Sequence, residues 1–458
     1  MSLRSNRYLL PCAIGLAVVF VAACVTDKVT GEKRFSVRNW TVEDEVSYGR
    51  QAAPNIESEY DATYADREAN EYLQKLVDEL VEHSPRQKDL TWRFRILNTS
   101  QKNAFALPGG FVYITRGLLE RLKTEGEFVF AIGHEIGHVE HRHAMLMQSK
   151  QTVAGIFMAP VTIPVNLVTS VATGPGGGIV AGVGRLITAP SRLLLLRYSR
   201  GAEDEADHRG LYFTETMGFD PRDADILFDF FKSEEKKYGG PGRGWLSSHP
   251  LTNDRIARVD ERIREEYPQV AKKKRSAFRQ TSPKFKAILA RLEKSSQSYQ
   301  DYDVAMGYLF KKGANEFELT AAKDRMERAA KTDAEEPLFL VGLGEEAMTR
   351  KKTADAKKHF EAAVALYEKR MSGESHWKAH YYLGVIAVGA KQGEAALEHL
   401  EKSRDLFPMQ PSIYYFLGEA YVLTGAKEKA RAAYEKVLEL APKGHVLADK
   451  ARERLKRI

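Results

Sequence analysis

Hydrophobic and polar positions change rhythm several times along this 458-residue chain, and each rhythm predicts an element. From Val46 to His83 apolar residues recur every three or four positions, as at Tyr72, Leu73, Leu76, Val77 and Leu80, which predicts helix. From Thr91 to Ile96 the pattern alternates, with Thr91, Arg93 and Arg95 set against Trp92, Phe94 and Ile96, which predicts a strand. Asn103–Ala106 and Gly110–Thr115 follow, separated by a Leu-Pro-Gly turn, and predict an antiparallel hairpin whose small residues keep its edge open. Thr124 and Glu127 then have the spacing of a capping box, and the apolar run Phe128–Ile132 continues a helix with no proline. Ser199–Asp207 reads as the start of another helix.

Two stretches break these rhythms. Between Lys150 and Arg185 there is no charged residue, and only Arg185 and Arg192 interrupt the apolar run to Leu196. Pro160, Pro164, Pro175 and Pro190, with the glycines around Pro175, break any helix of the ~20 residues a membrane span needs. The expectation for 151–196 is a mobile apolar flap that covers the site or touches lipid. Past Ile263, Lys272–Arg275 with Arg279, Lys284 and Lys286 form a basic connector, read as a solvated helical linker. The net charge of +7 is modest for this length, and no concentrated basic face with aromatic or groove-reading elements is visible, so nucleic-acid binding is excluded.

The chemistry is concentrated at His134-Glu135-Ile136-Gly137-His138. Two histidines four residues apart lie about 40° apart around a helix, so both imidazoles can face one metal. Glu135 is then placed as general base toward a water at that metal, which reads as metal-assisted hydrolysis. A third ligand must come from elsewhere, because the position six after His138 is Ala144. Glu203 and Asp207 are four apart on one helical face: Glu203 can bind the metal while Asp207 accepts a hydrogen bond from a ligating imidazole. Glu205 points roughly the other way, and His141 and His143 are read as polar core or surface positions.

These residues resemble the M48 family of zinc metallopeptidases. The resemblance rests on His134–His143, Glu203–Asp207, Asn103–Arg116 and Ser248–Ile256, and covers about residues 30 to 265. It implies one zinc per chain held by His134, His138 and Glu203, with Glu135 as base. It also assigns Asn103, Ala104, Phe105 and Ala106 to substrate alignment, which suits an exposed strand that pairs with an extended peptide without reading its side chains. His249 lies in a loop before Pro250 and either stabilises the tetrahedral intermediate or occupies the open metal position. Arg255 serves the same pocket.

The start of the chain predicts a location. Arg4 and Arg7 precede an uncharged run from Tyr8 to Ala23, and Val21-Ala-Ala-Cys24 resembles a bacterial lipoprotein signal. Cleavage there leaves Cys24 lipidated and removes Cys12, the one other cysteine. With no acidic residue at Val25 or Thr26, the expected anchor is the outer membrane, on its periplasmic side.

The C-terminal third repeats. Leu383-Gly384, Ala396 and Pro408 recur 34 residues later as Leu417-Gly418, Ala430 and Pro442, and Leu343-Gly344, Ala356 and Phe360 form a looser copy, with Ala305–Ala330 weaker still. This resembles the tetratricopeptide repeat and implies four stacked helix pairs with a concave face for a peptide or partner protein. The expected fold is α+β: a mainly helical metallopeptidase domain with a small antiparallel sheet, then an all-α solenoid. The expected units are a signal peptide (1–23), the peptidase domain (24–265), the basic linker (266–299) and the repeats (300–458). The expected function is zinc-dependent cleavage of misfolded or unassembled envelope proteins, with repeats recruiting substrate or partner. The alternative is a chaperone or assembly scaffold whose protease is usually latent.

Overall fold

A computed structural model describes residues 24–36, 40–147, 197–238, 244–311, 313–441 and 444–458. The signal stretch 1–23 and the expected apolar flap 151–196 lie outside the described residues.

The described chain opens with an antiparallel ribbon, β1 (Cys24–Thr26) and β2 (Lys33–Phe35), too short for sequence alternation to reveal. The helical pattern of 46–83 resolves into two helices, α1 (Val42–Glu59) and α2 (Arg67–Val81). They part where Asp61 and Ala62 take φ of 60° and 77°, a conformation that ends a helix, and Asp66 restarts the chain by capping α2 at the Ala69 amide.

Strands β3 (Arg93–Leu97), β4 (Ala104–Leu107) and β5 (Phe111–Thr115) form a sheet in the order β3-β5-β4. The β4–β5 hairpin is antiparallel as expected. The sheet as a whole is mixed, because β3 enters on the other side of β5 and runs parallel to it. Alternation along β3 reports that a strand forms, not which way its neighbour runs. The order leaves β4 at an edge, alongside the helix that carries the two motif histidines.

That helix is α3 (Glu125–Glu140), capped by Thr124 through the Glu127 amide and buried at every residue. Helix α4 (Arg200–Thr216) crosses it, and α5 (Asp223–Tyr238) and α6 (Asn253–Glu265) complete the domain. Phe94, Phe128, Phe130, Phe213, Phe228 and Trp245 are among the buried side chains that tie these helices to the sheet.

The repeats are helix pairs: α7 (Pro283–Leu309) with α8 (Glu316–Thr332), α9 (Pro337–Thr349) with α10 (Thr353–Arg370), α11 (Trp377–Gly389) with α12 (Gly393–Leu406), and α13 (Pro411–Leu423) with α14 (Lys427–Leu440). Helix α15 (Val446–Leu455) closes the stack. The recurring Leu-Gly pairs have a packing cause. A Cβ on Gly384 or Gly418 would come within 2.5 Å of Leu400 or Tyr434 on the partner helix.

The cations of the basic connector stay exposed, as expected of a solvated linker, while its apolar side chains Val270, Phe285 and Ile288 pack into the core. Arg279 pairs with Glu79 at 2.9 Å, Lys284 with Glu68 at 3.3 Å and Arg291 with Asp66 at 3.0 Å, while Phe285 lies against Phe128 in the shared core. Further along, the repeats grip the turn between α1 and α2. Trp377 donates to the Ser58 carbonyl at 3.1 Å, Lys378 meets Asp61 at 2.7 Å and Tyr367 donates to the Thr63 carbonyl at 2.8 Å. Among the described residues no helix is long and apolar enough to cross a membrane.

Candidate functional site

Helices α3 and α4 bring the site together. His134 and His138 sit one turn apart on α3, and Glu203 and Asp207 one turn apart on α4. The helices approach closely because glycines line the crossing: a Cβ on Gly133 or Gly137 would meet Phe213, or Arg209 and the Ala206 backbone, at 3.1 Å or less. His249 comes from just after the short turn Trp245–Ser248.

Four buried donor groups converge. His134 Nε2 lies 3.0 Å from His138 Nε2 and 3.2 Å from His249 Nδ1, which is 2.9 Å from Glu203 Oε1. Glu203 oxygens lie 3.7 Å from His134 Nε2 and 3.6 Å from His138 Nε2. Ligands at about 2.0–2.1 Å from a tetrahedral metal are roughly 3.3 Å from each other, so these atoms fit the corners of one such site. The donor set of three imidazoles and one carboxylate suits a borderline divalent cation.

The surrounding groups orient the donors. Asp207 Oδ1 is 2.9 Å from His134 Nδ1, which leaves Nε2 of that ring for the metal. Arg255 holds Asp207 through two 2.7 Å contacts and reaches Glu203 Oε2 at 2.6 Å. Burial works to raise the carboxyls of Asp207 and Glu203, but Arg255 beside the first and His249 with Arg255 beside the second hold both below their usual range. Burial works to lower His249, yet Glu203 and Glu135 raise it. Burial together with the His134 and His143 imidazoles pushes His138 well down.

Glu135 accepts a 3.0 Å hydrogen bond from Trp245 Nε1, and its Oε1 is 3.5 Å from His249 Nε2. Trp245 stacks on His249 and Tyr198 on His138, at centroid distances of 4.9 and 4.0 Å. Asn103 precedes β4, with its amide donating to Thr115 Oγ1, and Ala104 and Phe105 are buried in the strand. Ala106 lines a small pocket with Pro108, His138, Met145 and Tyr198, so the strand edge and a donor imidazole share one opening.

The structure thus brings together His134, Glu135, His138, Glu203, Asp207, His249 and Arg255, with Ala106 beside them. Cys24 begins β1. Tyr198 and Trp245 were not singled out in the sequence, where isolated aromatics carry no spacing signal. His143 and Glu205 need correction. They are not bystanders, because His143 Nδ1 is 2.7 Å from His138 Nδ1 and its Nε2 is 2.8 Å from Glu205 Oε2. His143 reaches His138 because α3 ends at Glu140 and Arg142, at φ 56°, turns the chain back toward the site. His141 stays off the donor group and pairs with Asp27 at 2.7 Å.

Comparison with known proteins agrees with this geometry. Residues 67–263 match the family model "Peptidase family M48", and 341–408 and 387–445 match "Tetratricopeptide repeat". The chain is 26% identical over 214 residues to "Mitochondrial metalloendopeptidase OMA1" of Schizosaccharomyces pombe, covering 46% of this chain and 58% of that protein. It is 32% identical over 163 residues to the Arabidopsis thaliana protein of the same name, covering 35% and 29%. "Beta-barrel assembly-enhancing protease" of Escherichia coli K12 is 24% identical over 370 residues, 79% of this chain and 66% of that one. The chain spans about half the length of the curated relatives it matches. With donor geometry, family model and repeat model in agreement, the chain carries a peptidase family M48 domain followed by tetratricopeptide repeats.

Proposed function

We propose that this protein is a zinc metalloendopeptidase of the bacterial cell envelope that degrades or processes misfolded or unassembled envelope proteins. The observation that carries the reading is the convergence of His134, His138 and Glu203 on one point with Glu135 alongside. Zinc bound there would polarise the scissile carbonyl and the attacking water.

The chain's own residues do the rest. Glu135 takes a proton from the attacking water and returns it to the leaving amine, with Trp245 Nε1 holding its Oε1 in place. Asp207 fixes the His134 tautomer, and Arg255 fixes Asp207 and Glu203 relative to each other. Asn103–Ala106 supply an edge on which an extended peptide pairs beside His138. Such pairing reads backbone more than side chain, so selectivity falls to the repeats, which recruit substrate or partner.

His249 acts as a latch. Its Nδ1 stands at the fourth corner of the donor set and its Nε2 faces Glu135, so in this arrangement both the open position and the base are engaged. Activation requires the His249 imidazole to leave the fourth corner while Trp245 keeps its hydrogen bond to Glu135.

The relatives named as β-barrel assembly-enhancing proteases support an envelope setting, and the lipoprotein-like start supports anchoring at Cys24 to the outer membrane. Asp27, which contacts His141, is three residues from Cys24, at most about 10 Å of chain, so a lipid there would hold the peptidase close to the membrane. A chaperone or assembly scaffold whose protease is usually latent is not favoured, since residues 67–263 match a peptidase family and the relatives are named as proteases. The test compares envelope proteins in cells carrying the wild type and Glu135→Gln. Uncleaved substrates should accumulate with the variant, and identical cleavage patterns would refute the reading.

A further inference from the structure

Behind the ligand set, a series of side chains leads from His138 to the N-terminal ribbon. His138 Nδ1 meets His143 Nδ1 at 2.7 Å, and His143 Nε2 meets Glu205 Oε2 at 2.8 Å. Arg34, on β2, donates from Nη1 and Nη2 to the two oxygens of Glu205 at 2.8 and 2.7 Å. With His138 presenting Nε2 to the metal, one proton assignment satisfies the whole series. His138 Nδ1–H donates to His143 Nδ1, His143 Nε2–H donates to Glu205, and the carboxylate accepts the guanidinium fork.

A second branch strengthens the attachment. Asp27, in the turn of the same ribbon, lies 2.7 Å from His141 Nδ1 and 3.0 Å from Arg34 Nη2, and the His141 ring stacks on His143 with 14° between their planes. His141, His143 and Glu205 are close enough to suggest a second cation site. The Arg34 guanidinium already bridges Glu205 and Asp27, however, and fills the role a cation would have there.

We infer that the ribbon is a working part of the metal centre: Arg34, through Glu205 and His143, positions the imidazole of His138 for metal binding. The two histidine ligands are therefore oriented from different places. His134 depends on Asp207 within the helical pair, whereas His138 depends on a segment more than 90 residues away in sequence. Arg34, Glu205 and His143 are positioning residues, since none of them is among the donor atoms around His134, His138, Glu203 and His249.

This inference rests on the zinc reading above, and its test separates the two. Zinc affinity is measured on the full chain by competition with a chelator, together with the visible absorption of the cobalt(II)-substituted protein, which reads the ligand field at His138. Glu205→Gln, Arg34→Ala and His143→Phe should each weaken zinc about 10- to 100-fold and shift the cobalt spectrum, the usual range for losing an outer partner. Arg34→Lys, which keeps the charge and loses the fork, should fall between Arg34→Ala and the wild type. Lys28→Ala is the control: Lys28 pins the same ribbon to Asp89 at 2.6 Å, away from the route to His138, and should leave affinity and spectrum unchanged. Wild-type affinity in folded Glu205→Gln and Arg34→Ala, or an equal loss in Lys28→Ala, overturns the inference while the zinc reading stands. A wild type that binds no zinc overturns both.

Discussion

Gly137→Ala tests whether the crossing of α3 and α4 sets the metal geometry. Gly137 lies between the two motif histidines, and a Cβ there would stand 2.9 Å from Arg209 Cβ and 3.1 Å from Ala206 Cα. Ordinary carbon contacts begin at about 3.5 Å, so the helices would have to part by roughly half an ångström. Alanine by itself favours helix by about 1 kcal/mol, whereas overpacking a filled interface costs about 1–3 kcal/mol. The second effect should win, because the Ala206 Cα is backbone and has no rotamer through which to yield. Parting the helices also moves Glu203 away from His134 and His138, and metal sites tolerate only about 0.2 Å in such distances. The expected result is an apo chain destabilised by about 1–2 kcal/mol in denaturant unfolding and a zinc affinity lowered at least about tenfold in chelator competition. Gly201→Ala, on α4 with nothing within 4 Å of the added carbon, should change neither. Wild-type stability and affinity in Gly137→Ala would refute the argument that glycine contacts fix the ligand spacing.

Other outcomes follow from the same geometry. Glu203→Gln should weaken zinc far more than Glu205→Gln, since only Glu203 offers an oxygen to the donor set, and equal zinc contents would remove Glu203 from it. His249→Ala should raise cleavage of an unfolded protein; a fall of about 10²- to 10³-fold, the size of a lost oxyanion donor, would assign it the opposite role. Burial, with Asp223 nearby, raises Glu127 to about 7 from an ordinary 4.5. Its native form therefore binds the proton more tightly, and this contribution to stability is present below about pH 4.5 and lost as pH rises through 7. Glu127→Gln should flatten that part of the unfolding profile, and an unchanged slope would contradict the burial argument. A chain ending at Arg279 loses Phe285 from its contact with Phe128, and by analogy with deleting a core phenylalanine should be destabilised by about 3–5 kcal/mol. An undiminished melting temperature would show that the repeats merely adjoin the domain.

Much of this arrangement was legible in the sequence because it is local. The histidine pair, the Glu203–Asp207 pair and the Thr124 cap each depend on spacing within one helix, and the Leu-Gly repeats on helix crossings that recur with a fixed period. What escaped depends on chain reversals and distant pairing. Asp61 and Ala62 split an apparently continuous helical pattern, and Arg142 redirects His143 onto His138 just beyond the end of α3. The parallel direction of β3, the packing of Phe285 against Phe128 and the attachment of Arg34 to Glu205 are contacts between segments far apart in the chain, which periodicity does not encode.

The central claim is that His134, His138 and Glu203 hold zinc while Glu135 moves the proton. It is tested most directly by measuring zinc content and casein cleavage together for the wild type and Glu135→Gln, each with and without His249→Ala. The account predicts one zinc per chain throughout and a loss of cleavage of about 10²- to 10⁴-fold whenever Glu135 is replaced. Undiminished cleavage by Glu135→Gln, or cleavage by a zinc-free wild type, would contradict it.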